Sequence, residues 1–180
     1  MTSHIPFDIS KNLQELKLPG EDESSMYLQS INYMDKSFGV FYDKLKEKGY
    51  LNNSIIIIYG DHEGIHKYYS TNLPDNNRRI PVIIYIPGFE GRTISKIGGQ
   101  IDIMPTLEYL MGIDKETHKA SVMGSNLFNN DSGSVILPTG EIIGQTDDIQ
   151  HLQKAHNISD LIITGDYFGI IPKPVETPTN

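Results

Sequence analysis

An α/β fold with a mainly parallel sheet flanked by helices, followed by a small carboxy-terminal antiparallel β unit, is predicted by three observations. Helical periodicity and strand-like runs alternate between residues 22 and 112. Ile55 to Ile58 form an unbroken β-branched run, the pattern of a strand covered on both faces. After about residue 120 the alternation gives way to short extended segments separated by turn residues.

Residues 22 to 49 carry Leu28, Ile31, Met34, Phe38, Phe41 and Leu45 at spacings of three and four, which draws one apolar stripe along a helix. Asp22 to Ser25 offer N-cap side chains and Gly49 a stop. The isoleucine run, bounded by Asn52, Asn53 and Gly60, reads as the next strand, and "IPVIIYIPG" from Ile80 to Gly88 as another, edged by prolines. A polar loop joins them. In "GGQIDIMPTLEYLMGID", residues 98 to 114, Asp102 is the expected N-cap of a short helix. Pro105 falls in its first turn, Gly112 ends it, and Met104, Leu107, Leu110 and Met111 face inward. "SVILPTGEIIG" reads as a hairpin about Thr139-Gly140, and "DLIITGDYFGI" as a further strand pair. The expected organisation is an α/β part over 1–120, an antiparallel subdomain over 121–171 and a disordered proline-rich tail over 172–180.

Composition excludes several function classes. The 180 residues hold 15 Lys+Arg against 23 Asp+Glu, a formal charge of −8 with no compensating basic cluster, which argues against nucleic acid or an anionic membrane surface as direct partner. Mean hydropathy is −0.32, and no apolar run approaches the roughly 18 residues of a membrane span, so any anchor is expected outside this chain. The opening "MTSHIPFDIS" lacks the basic-then-apolar order of a signal peptide. Without cysteine there is no disulfide frame and no thiolate nucleophile or ligand. There is also no glycine-rich phosphate loop and no G-x-S-x-G elbow.

Candidate chemistry concentrates where the isoleucine run meets "YGDHEG". Asp61 and His62 sit at a strand's carboxyl end, where open α/β sheets bind ligands. Neighbours in a strand point to opposite faces, so the pair converges only if the backbone turns there, which Gly60 and Gly64 permit. A carboxylate and an imidazole brought together form half of a typical Zn²⁺, Mn²⁺ or Fe²⁺ site. The plainer reading, Asp61 capping a turn and His62 bonded to it, is favoured by the dipeptide taken alone. Position alone likewise makes His4 a half-buried loop residue, and Glu63, His66 and Lys67 a solvated loop face. Arg78 and Arg79 read as charge at a strand entry, and His118, His151 and His156 have no suggestive neighbour.

Four segments in register, "INYMDKSFGVFYDKLKEKG", "SIIIIYGDHEG", "RRIPVIIYIPG" and "GGQIDIMPTLEYLMGID", together resemble the carboxy-terminal half of the catalytic domain of the sulfatase / alkaline phosphatase superfamily. The resemblance is strongest to lipoteichoic acid synthases and other phosphoglycerol transferases, whose motif is similar to Tyr59–Gly64, and it covers about residues 1 to 115. It implies an alkaline phosphatase-like fold, with Asp61 and His62 as ligands of a catalytic divalent metal, usually Mn²⁺, with Zn²⁺ or Mg²⁺ as alternatives. It also implies that His4, in "TSHIPF", contacts the transferred glycerol phosphate. Family members place a threonine nucleophile and a glutamate ligand upstream of that segment, and usually a tyrosine where Glu63 stands.

The implied reaction moves glycerol phosphate from phosphatidylglycerol to a polyglycerol phosphate acceptor at the extracellular face of the cell membrane. On this reading the chain is a piece of a larger enzyme: inactive alone, weak in metal binding and prone to self-association. A sulfatase or phosphodiesterase of the same superfamily is the near alternative. A non-catalytic binding module with the same fold is the distant one.

Overall fold

The computed structural model describes residues 3–74, 77–114, 123–129, 133–145 and 149–170. They belong to two compact units, Met1–Gly91 and Arg92–Asn180. The tail expected to be disordered, and His118, lie outside the described residues.

In the first unit helix α1 runs Glu23–Glu47. Its ends fall where the sequence marks them: the Ser25 N–H donates to Asp22 Oδ1 at 2.8 Å, and Gly49 takes φ +73° just past the last turn. The buried face differs from the apolar stripe. Ser25, Gln29 and Ser30 are buried, whereas Met34 and Phe41 are 46% and 52% exposed. The cause is the segment before the helix. Gln29 Oε1 accepts from the Glu15 and Leu16 N–H groups at 3.1 Å each, and Gln29 Nε2 donates to the Leu16 carbonyl at 2.7 Å, so polar residues are covered while fully bonded.

Strands β1 (Ile56–Tyr59) and β2 (Val82–Tyr85) share one sheet, as expected, but pair antiparallel, with Ile56 opposite Tyr85 and Tyr59 opposite Val82. This corrects the parallel pairing. A parallel neighbour needs a crossover, usually a helix, and the described part of residues 60–81 holds only a 3-10 turn at Ile65–Lys67, so the chain returns at the end it left. Burial on both faces is corrected with it: the isoleucines of β1 are half-buried and Tyr59 is 49% exposed, because the sheet has two strands. Helix α1 flanks the sheet through an edge-on Tyr42–Tyr85 contact at 6.1 Å. Among the described residues, the buried apolar ones are Phe7, Ile9, Leu51 and Ile65.

In the second unit a 3-10 turn over Gln100–Asp102 leads into α2, Ile103–Leu110. Gly112, at φ +70°, closes it with paired bonds from the Ile113 N–H to the Glu108 carbonyl (2.9 Å) and from its own N–H to the Tyr109 carbonyl (3.1 Å). Asp102 stands at the N-cap position of α2, as expected, but its side chain makes no capping bond to that helix. It is buried, with Oδ2 accepting from the Gly99 N–H at 2.8 Å and Oδ1 from the Ser125 N–H at 2.6 Å. The inward face is polar as well: Thr106 and Glu108 are buried, while Met104 and Met111 are exposed. Thr106 explains part of this, since its Oγ1 donates to the Asp102 carbonyl and accepts from the Leu127 N–H.

Strands β3 (Ser134–Ile136) and β4 (Ile142–Gly144) form the expected antiparallel hairpin. The Gly140 N–H bonds to the Leu137 carbonyl at 2.8 Å, and Gly140 takes φ +82°, the left-handed residue such a loop requires. The strand pair expected over 160–170 is absent. Residues there belong to helices α3 (Ile149–Thr164) and α4 (Tyr167–Ile170), and α3 packs on β3. Leu152, Ala155, His156 and Ile162 are the half-buried positions of α3, a helical stripe that a window beginning at Asp160 cuts off.

Candidate functional site

The last rung beyond β1 is the Gly60 N–H bonded to the Pro81 carbonyl at 3.1 Å, and the backbone turns away at Asp61 and His62. The turn that a shared ligand requires is therefore present: Asp61 Oδ1 and His62 Nε2 lie 3.9 Å apart. Gly64 serves close approach, since a Cβ there would overlap the Tyr27 hydroxyl on α1. Ile65, 1% exposed, plugs the core and pins the loop directly after the pair.

The carbonyl of Glu63 lies 2.8 Å from His62 Nδ1. A carbonyl only accepts, so Nδ1 carries a proton, and whenever the ring is neutral its lone pair is on Nε2. This backbone-anchored state is the one that metal-binding histidines adopt. Tyr68 returns from the 3-10 turn to place its ring edge-on to His62 at 5.5 Å, with its hydroxyl 3.3 Å from Nε2. His4 also lies near Tyr68, ring centroids 6.4 Å apart and tilted at 58°.

His4 reaches this position through a tight turn in which the Phe7 N–H donates to its carbonyl at 2.7 Å. Phe7 is buried against Tyr27 and Tyr69, at ring distances of 5.2 and 6.3 Å, which fixes the turn on α1 and on the loop after the Asp-His pair. His4 Nδ1 lies 2.9 Å from the Ile5 carbonyl, so this ring too is anchored through Nδ1.

Of the residues selected from the sequence, His4 and His62 both lie against the Tyr68 ring, and Asp61 lies beside His62. His66 does not join them. Its Nε2 lies 3.1 Å from the Leu73 carbonyl and ties the loop together. Glu63 contributes its carbonyl to His62, and the Lys67 ammonium lies 5.4 Å from the Tyr68 ring centre. Arg78 and Arg79 stand exposed before β2, and His151 and His156 are engaged within the second unit, by the Met123 carbonyl and Asp160. Tyr68 was invisible to motif reading, because only the fold of the loop brings a residue six positions on back to His62.

Among the described residues no group of three or more His, Cys, Asp or Glu side chains is placed to hold a metal. Asp61 and His62 bring together two side chains, a carboxylate and an imidazole, of the types that Mn²⁺ and Zn²⁺ accept as ligands. None of the described helices is long and apolar enough to cross a membrane.

Residues 1–113 match the sequence profile of the family described as Sulfatase. Lipoteichoic acid synthase 1 of Bacillus subtilis is 33% identical over 150 residues, covering 76% of this chain and 23% of that protein. Lipoteichoic acid synthase-like YvgJ of the same organism is 30% identical, covering 92% of this chain and 34% of that protein. The chain thus spans about a quarter to a third of these relatives' length. Among solved structures, the lipoteichoic acid synthase LtaP from Listeria monocytogenes superposes with a TM-score of 0.63 at 26% identity, over 96% of this chain and 53% of that one. An alkaline phosphatase superfamily protein from Vibrio parahaemolyticus, 17% identical with a TM-score of 0.64 over 93% of this chain and 48% of that one, shares the fold.

Proposed function

Because the chain belongs to the sulfatase family, we propose that it is the carboxy-terminal part of the catalytic domain of a phosphoglycerol transferase of the lipoteichoic acid synthase kind. The observation that carries this reading is the Asp61–His62 pair at the end of β1, 3.9 Å apart, with the Tyr68 ring lying against both His62 and His4.

In this reading Asp61 and His62 hold a divalent ion, Mn²⁺ before Zn²⁺ or Mg²⁺, with further ligands from the whole protein. A bound ion supplies Lewis acidity to a phosphoryl oxygen and lowers the pKa of an attacking hydroxyl. The donor is a phosphatidylglycerol-type lipid. A threonine hydroxyl outside this chain attacks its phosphorus. The Thr O–P bond forms, the P–O bond to diacylglycerol breaks, and the threonine proton passes to the departing oxygen. The terminal hydroxyl of a polyglycerol phosphate acceptor then displaces the threonine. His4, its Nε2 directed away from the Ile5 carbonyl, orients the glycerol phosphate and moves a proton in that exchange. The whole protein works at the extracellular face of the cell membrane.

The test is diacylglycerol release from fluorescent phosphatidylglycerol vesicles by the whole protein, with an aryl sulfate in a parallel arm. Asp61→Ala and His62→Ala should abolish release, and His4→Ala should lower it about a hundredfold or more. Full activity in Asp61→Ala, or turnover of the sulfate ester alone, contradicts the reading.

A further inference from the structure

Tyr68 has no part in the reaction just described, yet its hydroxyl meets the one atom on which the metal reading depends. The Glu63 carbonyl accepts from His62 Nδ1, so in the neutral ring Nε2 is the acceptor, and the Tyr68 hydroxyl, 3.3 Å away, donates to it. A metal ligand uses the same lone pair, which one nitrogen cannot give to a proton donor and to an ion at once. The phenol is also held in place: the Tyr68 N–H bonds to the Ile65 carbonyl at 2.9 Å, beside the buried Ile65 side chain, and the ring packs edge-on to the imidazole.

We propose that Tyr68 is a positioning residue that competes with the divalent cation for His62 Nε2, setting how tightly the site holds metal. The ring orients the imidazole, and the hydroxyl is the competing donor. The inference rests on the reading of Asp61 and His62 as ligands. It adds that the site's affinity is tuned downward by a side chain that does not ligate.

The experiment is calorimetric titration of the chain with Mn²⁺ for the parent, Tyr68→Phe and His62→Ala. It is accompanied by the ¹⁵N shifts of the His62 ring in the metal-free protein. Losing one neutral hydrogen bond from the competing state should tighten Mn²⁺ binding about three- to tenfold in Tyr68→Phe. The Nε2 resonance should move toward that of a nitrogen without a donor, while Nδ1 stays in place. Unchanged or weaker binding in Tyr68→Phe, with His62→Ala still abolishing it, overturns the inference and leaves the metal reading intact. Binding that survives His62→Ala overturns the metal reading and the inference with it.

Discussion

His62 Nδ1 lies 2.8 Å from the carbonyl oxygen of Glu63. The residue that follows the histidine, through its backbone and whatever its side chain, therefore fixes which ring nitrogen can accept. Because that contact runs through the backbone, the side chain of Glu63 takes no part in it.

The packing of Gly64 on α1 predicts a paired-substitution result. Gly64→Ala places a methyl on the Tyr27 hydroxyl and should destabilise the first unit by about 1–3 kcal/mol. Adding Tyr27→Phe removes the obstructing oxygen and should recover part of that loss. Thermal unfolding of both variants checks it, and no recovery in the double variant would place the strain elsewhere.

The two oxygens of Asp102 accept from different N–H groups, those of Gly99 and Ser125. Asp102→Asn turns one acceptor into a donor facing an N–H, which should cost about 1–3 kcal/mol in denaturant unfolding. A neutral result would show that these bonds are not held in solution.

Glu108 is buried on α2 with Oε1 lacking a hydrogen-bond partner. Replacing a buried, unsatisfied polar group with an apolar one of similar size removes a desolvation cost, so Glu108→Leu should raise stability by about 1–3 kcal/mol. Destabilisation on the same scale would mean that the carboxylate is bonded in solution.

Hydrogen bonding from the Ser25 backbone N–H, and then from its hydroxyl, holds the Asp22 carboxyl below its ordinary value of 3.8. A depressed folded-state pKa stabilises above the unfolded value, and that contribution is lost as the pH falls from about 4 through the lower folded value. Helix content followed by circular dichroism should fall in that window for the parent. Asp22→Asn keeps an acceptor without a titrating group, and should flatten this part of the acid transition.

Local chemistry made part of this fold legible. Asp22, Gly49, Gly112 and Gly140 are residues whose side chain or backbone freedom does one job, and each ends or turns an element as the sequence predicts. Strand direction was not legible, because an isoleucine run reports apolar surroundings without reporting which way its neighbour runs, and the intervening loop lacks a crossover helix. The α3 helix escapes a reading from Asp160 because Ile162, Ile163 and Thr164 are β-branched, while the helical stripe begins earlier, at Leu152. In the candidate site, the place of Asp61 and His62 at a strand end was legible, while a ligand role for them came from the family resemblance and not from the dipeptide. Tyr68 was not legible, since its approach to His62 depends on Ile65 seating the loop between them.

The central claim is that Asp61 and His62 together hold one divalent ion at the end of β1, within reach of His4. Paramagnetic broadening of backbone amide resonances on adding Mn²⁺ to the chain tests it most directly, because it locates even a weakly held ion. The account predicts weak one-to-one binding, with broadening centred on residues 60–64 and extending to the His4 turn, and loss of that pattern in Asp61→Ala. Broadening centred elsewhere, or unchanged in Asp61→Ala, would contradict it.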